Sequence, residues 1–294
     1  MVQRNNNVNW DGNRSNNKKS ITMAGIGYGL GFGFRKKMSA IVYDISAQAY
    51  FDAVPTPFSA IDKGYINTFF LDLKASNNNF SHIDVMYLFA NSAQGNAGIN
   101  LIDPATFTAT EVNAPGWVAY EGYTSDVATS YLNSTYTPST DAINFSLNSA
   151  SAGIYSRTES TESTYDFGVV SNAGNNRIEQ VSRHGDGSFY ARMNDMTYNI
   201  AVNASSLALQ STLRTSSTST STYTRGSLLN TDAASSSVAV PTIDMYVLCF
   251  NSAGAAASFS GRQYSFFFIG DGLVNISELY TAIQTLMTSF GKQV

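Results

Sequence analysis

Charge is scarce in this chain. Asp, Glu, Lys and Arg supply 13% of its 294 residues, about half of the ~25% found in an average globular protein. Cysteine occurs once, as Cys249, which excludes an internal disulfide. Its place in the apolar run 245–250 reads as a buried structural thiol. Histidine occurs only as His82 and His184. Neither has a Cys or His partner at metal-ligand spacing, so no zinc site and no two-histidine catalytic site is expected. No apolar stretch approaches the ~20 residues needed to span a bilayer. Residues 1–10 are polar and Asn-rich rather than signal-like. The expectation is a chain made in a cytosol, without a membrane partner, that gets outside by another route such as cell lysis.

Asn, Ser and Thr supply the missing polarity, and 18 Phe with 17 Tyr supply bulk. Short uncharged polar side chains with aromatics suit pleated sheets, wet on one face and packed on the other. Strands are predicted at 83–89, 143–147, 153–157, 165–170, 177–182, 188–193, 197–202, 208–214, 221–224, 244–250 and 263–269. Polar turns such as His184-Gly185-Asp186-Gly187 separate them. Many short strands at regular spacing argue for a two-sheet sandwich or jelly roll.

Helical signals are few and local. Ser59 with Asp62 caps a helix whose apolar stripe runs Ile61, Tyr65, Phe69 and Leu73, widened by Ile66 and Phe70. Pro55 and Pro57 break a shorter helix before it. At the far end, Asn275 and Glu278 form a capping box. Leu279, Ile283, Leu286, Met287 and Phe290 follow at helical spacing, and Gly291 sits at the left-handed C′ position. The predicted fold class is mainly β: a jelly-roll sandwich with a small N-terminal helical unit, an extended N-terminal arm and a C-terminal helix. The expected boundaries are 1–40 for the arm, 41–80 for the helical unit and 81–294 for the β domain with its helix.

The arm carries its own charge. Residues 1–40 hold seven bases (Arg4, Arg14, Lys18, Lys19, Arg35, Lys36, Lys37) against one acid, Asp11, while the remainder holds ten bases and twenty acids. A basic arm on an acidic body suggests a separate partner for the arm, an acidic protein surface being the plainest. Nucleic acid fits less well, because the bases neither share a face nor interleave with stacking aromatics. A merely solvated tail is the bland alternative. Within the arm, Gly25, Gly27, Gly29, Gly31 and Gly33 alternate with Ile26, Tyr28, Leu30, Phe32 and Phe34. In an extended strand this leaves one face bare, open to close approach by another backbone, as in strand addition between subunits. An intramolecular edge strand and a flexible linker are the other readings. The spacing is not that of a phosphate loop.

Several segments together carry a family resemblance. They are Leu71-Asp72-Leu73-Lys74-Ala75-Ser76, Ser130-Tyr131-Leu132-Asn133-Ser134-Thr135-Tyr136-Thr137-Pro138, Ile154-Tyr155-Ser156-Arg157-Thr158 and Arg214-Thr215-Ser216-Ser217. The ending is the fullest, from Arg262-Gln263-Tyr264-Ser265-Phe266 through Gly270-Asp271-Gly272-Leu273 to the terminal helix and Gly291-Lys292-Gln293-Val294. Over roughly residues 60–294 the chain resembles the concanavalin-A-like (laminin-G-like) jelly-roll virion proteins of bacteriophages, of the Bacteroidetes-phage type. A hairpin that in such proteins carries Asn-Gly reads Arg225-Gly226 here, and the first forty residues have no counterpart. The resemblance implies a virion surface module: a fibre, spike or capsid or tail decoration subunit. Its partners would be other virion proteins, reached through the arm, and sister copies, a trimer by analogy with fibres. The alternative it implies is a receptor-binding lectin that adheres to host surface polysaccharide.

For glycan binding the residues offer two candidates. Trp117, after Pro115-Gly116, is an aromatic plate or else a core tryptophan. Asp186 is the other: with Asn194 and Asp195 nearby in sequence it offers the loop oxygens from which lectins of the resembled fold build a calcium site, although the same residues more simply make tight turns. The Glu-x-Asp-x-x-Glu pattern of jelly-roll glucanases is missing, and Glu159 and Glu162 read as a solvated hairpin tip. No catalytic residue, metal or cofactor is assigned, and the chain is expected not to be an enzyme.

Overall fold

The computed structural model describes residues 41–171 and 176–294. The basic bases of the arm and its glycine ladder, in residues 1–40, lie outside the described residues. Val42–Val294 constitutes one compact unit, built as three layers: helices, a first sheet and a second sheet.

The first sheet runs β13 (Ser227–Asp232), β12 (Ser219–Thr224), β11 (Ala208–Ser216), β6 (Ala150–Ser156), β17 (Gln263–Gly270), β4 (Gly122–Thr124) and β3 (Gly116–Val118). β1 (Ile83–Leu88) also pairs with β17. The second sheet runs β10 (Asn199–Val202), β9 (Ser188–Met193), β8 (Arg177–Val181), β7 (Phe167–Val170), β14 (Tyr246–Val247), β5 (Tyr131–Asn133) and β2 (Thr110–Val112). β15 (Phe250–Ser252) joins β7, and β16 (Ala255–Ala257) joins β15. Pairing is antiparallel apart from β15 on β7 among these strands. This is the mainly β jelly-roll sandwich that the strand spacing predicts.

Side-chain alternation along β17 fixes the layers. Phe267 and Ile269 point between the sheets, where they meet Tyr87, Ile154, Phe167, Val169, Ile178 and Val247. Phe266 and Phe268 point the other way, into a core shared with three helices. Those helices are α1 (Ile45–Ala53), α2 (Ala60–Lys74) and α5 (Ile276–Ser289); two single turns, α3 (Gln94–Ala97) and α4 (Pro138–Asp141), sit in loops. A strand buried on both faces needs no polar alternation, which is why Phe266-Phe267-Phe268-Ile269 is continuously apolar. Glycine is required at Gly153 on β6: a Cβ there would lie 2.6 Å from both the Phe268 ring and the Ser211 Cβ.

The N-cap side chains act as the sequence predicts, but the Asn275–Glu278 capping box forms only in half: the Asn275 N–H donates to Asn79 Oδ1 and the Glu278 carboxylate accepts from Asn77 Nδ2, both at 2.7 Å. Ser59 Oγ accepts from the Asp62 N–H at 3.0 Å, Asn275 accepts from the Glu278 N–H at 3.1 Å, and Gly291 takes a φ of 68°. On α2 the buried stripe is Ile66, Phe69, Phe70 and Leu73, while Ile61 and Tyr65 are exposed. Residues spaced by four drift around a helix of 3.6 residues per turn, so the 61-65-69-73 line slides off the core.

Two predicted strands differ. Residues 143–147 form a loop whose Ile143 is exposed. The stretch 244–250 is cut at Leu248, which takes a φ of 73°. Before the cut β14 runs antiparallel to β7, and after it β15 runs parallel. The Arg225-Gly226 turn, with φ values of 52° and 76°, closes the β12–β13 hairpin, whose second strand is not evident in the sequence.

Candidate ligand-binding face

The two outer faces of the sandwich differ. Helices α1, α2 and α5 cover the first sheet, and among the described residues none of these three joins the cluster of the second. On the second sheet, Leu132, Val247, Phe167, Ile178 and Met193 join the inter-sheet core. Their strand neighbours therefore point outward. Register aligns those neighbours into one row that crosses six strands: Thr110, Asn133, Tyr246, Gly168, Glu179 and Arg192.

Aromatic rings cover this row in pairs. Tyr131 and Tyr246 have centroids 4.5 Å apart. Tyr165 stacks on Phe250 at 4.7 Å. Tyr190 meets Tyr198 edge-on at 5.3 Å, and the Tyr198 and Tyr165 hydroxyls are 3.1 Å apart. In the first two pairs one ring is buried (Tyr246, Phe250) and supports a half-exposed partner (Tyr131, Tyr165). Gly168 makes room for this: a Cβ there would lie 2.7 Å from the Phe250 ring.

Glu179 lies beneath the rings with its side chain fully buried. Arg192 Nη1 donates to it at 2.8 Å, and Arg177 Nη1 sits 3.5 Å away. The Arg192 guanidinium also lies 3.6 Å over the Tyr198 ring, a cation–π contact. Burial, then the Glu179 charge, pushes the Tyr198 hydroxyl far above the ordinary phenol range. This ring is neutral and held in place.

Polar groups stand at both ends of the aromatic track. At one end the Asp244 carboxylate accepts from Thr137 Oγ1 at 2.6 Å and from Asn133 Nδ2 at 3.1 Å. Asn251 Nδ2 donates to the Asp244 carbonyl at 2.7 Å. Thr137, Asp244, Asn251 and Tyr246 line a cleft of about 320 Å³. At the other end Asp186 accepts from the Tyr190 hydroxyl at 2.8 Å and from the Ser188 N–H at 2.9 Å. Those two bonds hold the Asp186 carboxyl below its ordinary range, and the same contact raises Tyr190. His184 lies beside them, its ring 4.7 Å from Tyr190.

The two sequence candidates are not brought together. Asp186 stands exposed at the end of the track. Trp117 belongs to β3 of the first sheet, is half-buried against the inter-sheet core, and donates its indole N–H to the Phe89 carbonyl at 3.0 Å. Asn194 and Asp195 are buried and directed elsewhere: Asp195 pairs with Arg214 at 2.7 Å. Glu162 is no solvated tip. It accepts from Thr164 Oγ1 and the Gly261 N–H at 2.9 Å each, fastening its segment beside the buried Arg262. Sequence reasoning missed the ring pairs. The one local signal was β9, Ser188-Phe189-Tyr190-Ala191-Arg192-Met193, whose alternation puts Tyr190 and Arg192 on the wet face.

No protein-family model matches the chain, and no curated protein matches it. Solved structures similar to it include domain 4 of AbnA, a GH43 extracellular arabinanase from Geobacillus stearothermophilus, in complex with arabinotriose. That match has a TM-score of 0.43 at 12% identity, over 68% of this chain and 98% of that one. The binding domain of botulinum neurotoxin serotype D gives 0.46 at 9% identity, over 72% of this chain and 53% of that one. The CBM40 of a Ruminococcus gnavus IT-sialidase, bound to alpha2,3 sialyllactose, gives 0.34 at 11% identity, over 45% and 80%. The chain thus spans about half the length of the neurotoxin domain and nearly all of the arabinanase domain.

Proposed function

We propose that this chain is a surface subunit of a bacteriophage virion, a fibre, spike or decoration, whose jelly roll adheres to host surface polysaccharide. The aromatic track on the face that α1, α2 and α5 leave uncovered is the observation that carries the adhesion half. Sugar rings present C–H faces that stack on aromatics, and their hydroxyls donate to Asp carboxylates while Asn amides both donate and accept. The track offers half-exposed rings held by buried ones, with Asp244 and Asn133 at one end and Asp186 at the other. Its work in this reading is binding, not catalysis.

The virion half rests on the resemblance of residues 60–294 and on the arm. Seven bases and a glycine ladder in residues 1–40 suit docking to an acidic virion protein or to sister copies. Two experiments separate the halves. Fluorescently labelled protein should bind host cells saturably, with competition by purified surface polysaccharide; absence of binding by folded protein removes the adhesion half. Deletion of residues 1–40 should abolish incorporation into particles while leaving cell binding intact. Normal incorporation of the truncated chain removes the anchoring role.

A further inference from the structure

We infer that the open face takes an internal stretch of a linear, uncharged polysaccharide, rather than a single terminal sugar. The inference rests on the glycan reading above and specifies its ligand. Three ring pairs, Tyr131 with Tyr246, Tyr165 with Phe250, and Tyr190 with Tyr198, are spread from β5 to β9. The path between those strands passes β14, β7 and β8. At ~4.8 Å per strand interval it covers about 19 Å. One sugar ring cannot reach from the first plate to the last, whereas an extended chain lying across the strands touches each in turn.

The partly exposed rings, Tyr131, Tyr165, Tyr190 and Tyr198, lie along the sheet surface, and their span sets a ligand of several sugar units. Charge selects against a polyanion. Among the described residues, the arginines that line the row, Arg177 and Arg192, both turn to the buried Glu179, while Asp186 and Asp244 stand at opposite ends of the track. Those carboxylates accept hydroxyl hydrogens and repel anionic substituents.

The test uses the full-length protein in two steps. Affinity electrophoresis first compares neutral linear polymers (arabinan, xylan, glucomannan, dextran) with polyanions (pectate, hyaluronan, polysialic acid). Calorimetry then follows the retained polymer's own oligosaccharides from one to eight units. Retention by a neutral polymer is expected, with affinity rising at least tenfold from monosaccharide to the longer oligomers before levelling. Tyr131→Ala and Tyr190→Ala should each weaken polymer binding by up to about tenfold, the scale of one aromatic contact. Tyr131→Phe and Tyr190→Phe, which keep the ring, should retain most of it, so a folding defect is recognised. A monosaccharide that binds as tightly as the polymer overturns the inference and leaves the glycan reading standing, as does retention by polyanions alone. Failure of every polymer to bind, the purified host surface polysaccharide among them, overturns both.

Discussion

If the helices truly close the first sheet, removing buried volume from α5 must unsettle the whole unit. Ile283 is the sharpest place to cut. It has no exposed surface and belongs to the cluster that joins Phe69 of α2, Leu209 of β11 and Phe266 of β17. Ile283→Ala deletes three carbons, worth about 2.4 kcal/mol at ~0.8 kcal/mol per buried methylene. A residual void of roughly 50 Å³ at ~24 cal/mol per Å³ adds about 1.2 kcal/mol. The expected loss is therefore about 3–4 kcal/mol. Equilibrium urea unfolding followed by tryptophan fluorescence and by circular dichroism should show a lower midpoint with an unchanged slope. Thr281→Ala, on the exposed side of the same helix, should stay within about 0.5 kcal/mol of wild type. A loss below about 1 kcal/mol for Ile283→Ala would mean that α5 is loosely docked. The first sheet would then be as open as the second, and the choice of binding face would fail.

Gly153→Ala should cost about 1–3 kcal/mol by overpacking, because the new methyl meets Phe268 and Ser211 at 2.6 Å; a thermal midpoint equal to wild type would refute this. Asp195→Ala leaves the buried Arg214 without its 2.7 Å partner and should cost about 3–5 kcal/mol. Burial pushes the Asp195 carboxyl above its ordinary 3.8, against the pull of Ser235, the Thr197 N–H and Arg214. A carboxyl raised in the fold stabilises most below its unfolded value and loses that contribution as pH rises through the folded one. The stability advantage of wild type over Asp195→Asn should accordingly shrink as pH rises through the acidic range, and a growing advantage would contradict it. Burial pushes the Cys249 thiol up to about 12. It should resist a thiol-disulfide reagent in native protein and react on unfolding, and rapid native labelling would show the site to be open.

How much was legible in the sequence differs by level. Local chemistry was clear. Asn275, Glu278 and Gly291 mark the ends of α5 because caps satisfy backbone groups within a few residues of themselves. Ser188–Met193 was placed because its alternation has period two. Residues 143–147 look like a strand by composition, yet they lie in a loop where Asn144 and Phe145 donate their N–H groups to Asp84, a partner some sixty residues away. The ring pairs were hidden for the same reason. Tyr165 and Phe250, or Tyr131 and Tyr246, meet only through sheet register, and an aromatic-rich chain gives no local sign of which rings share a face. Tryptophan is rare, which marks Trp117 as a candidate plate, but an indole N–H with a backbone acceptor is as useful to a core as to a plate.

The surface that polysaccharide meets is the decisive feature. Hydrogen exchange of the full-length protein, with and without saturating host surface polysaccharide, reads that directly. Slowed exchange is predicted in β5, β9, and the segments around Tyr165 and Asp244, with α2 and α5 unchanged. Protection that falls on the helices, or none under conditions where binding is complete, would contradict the central claim.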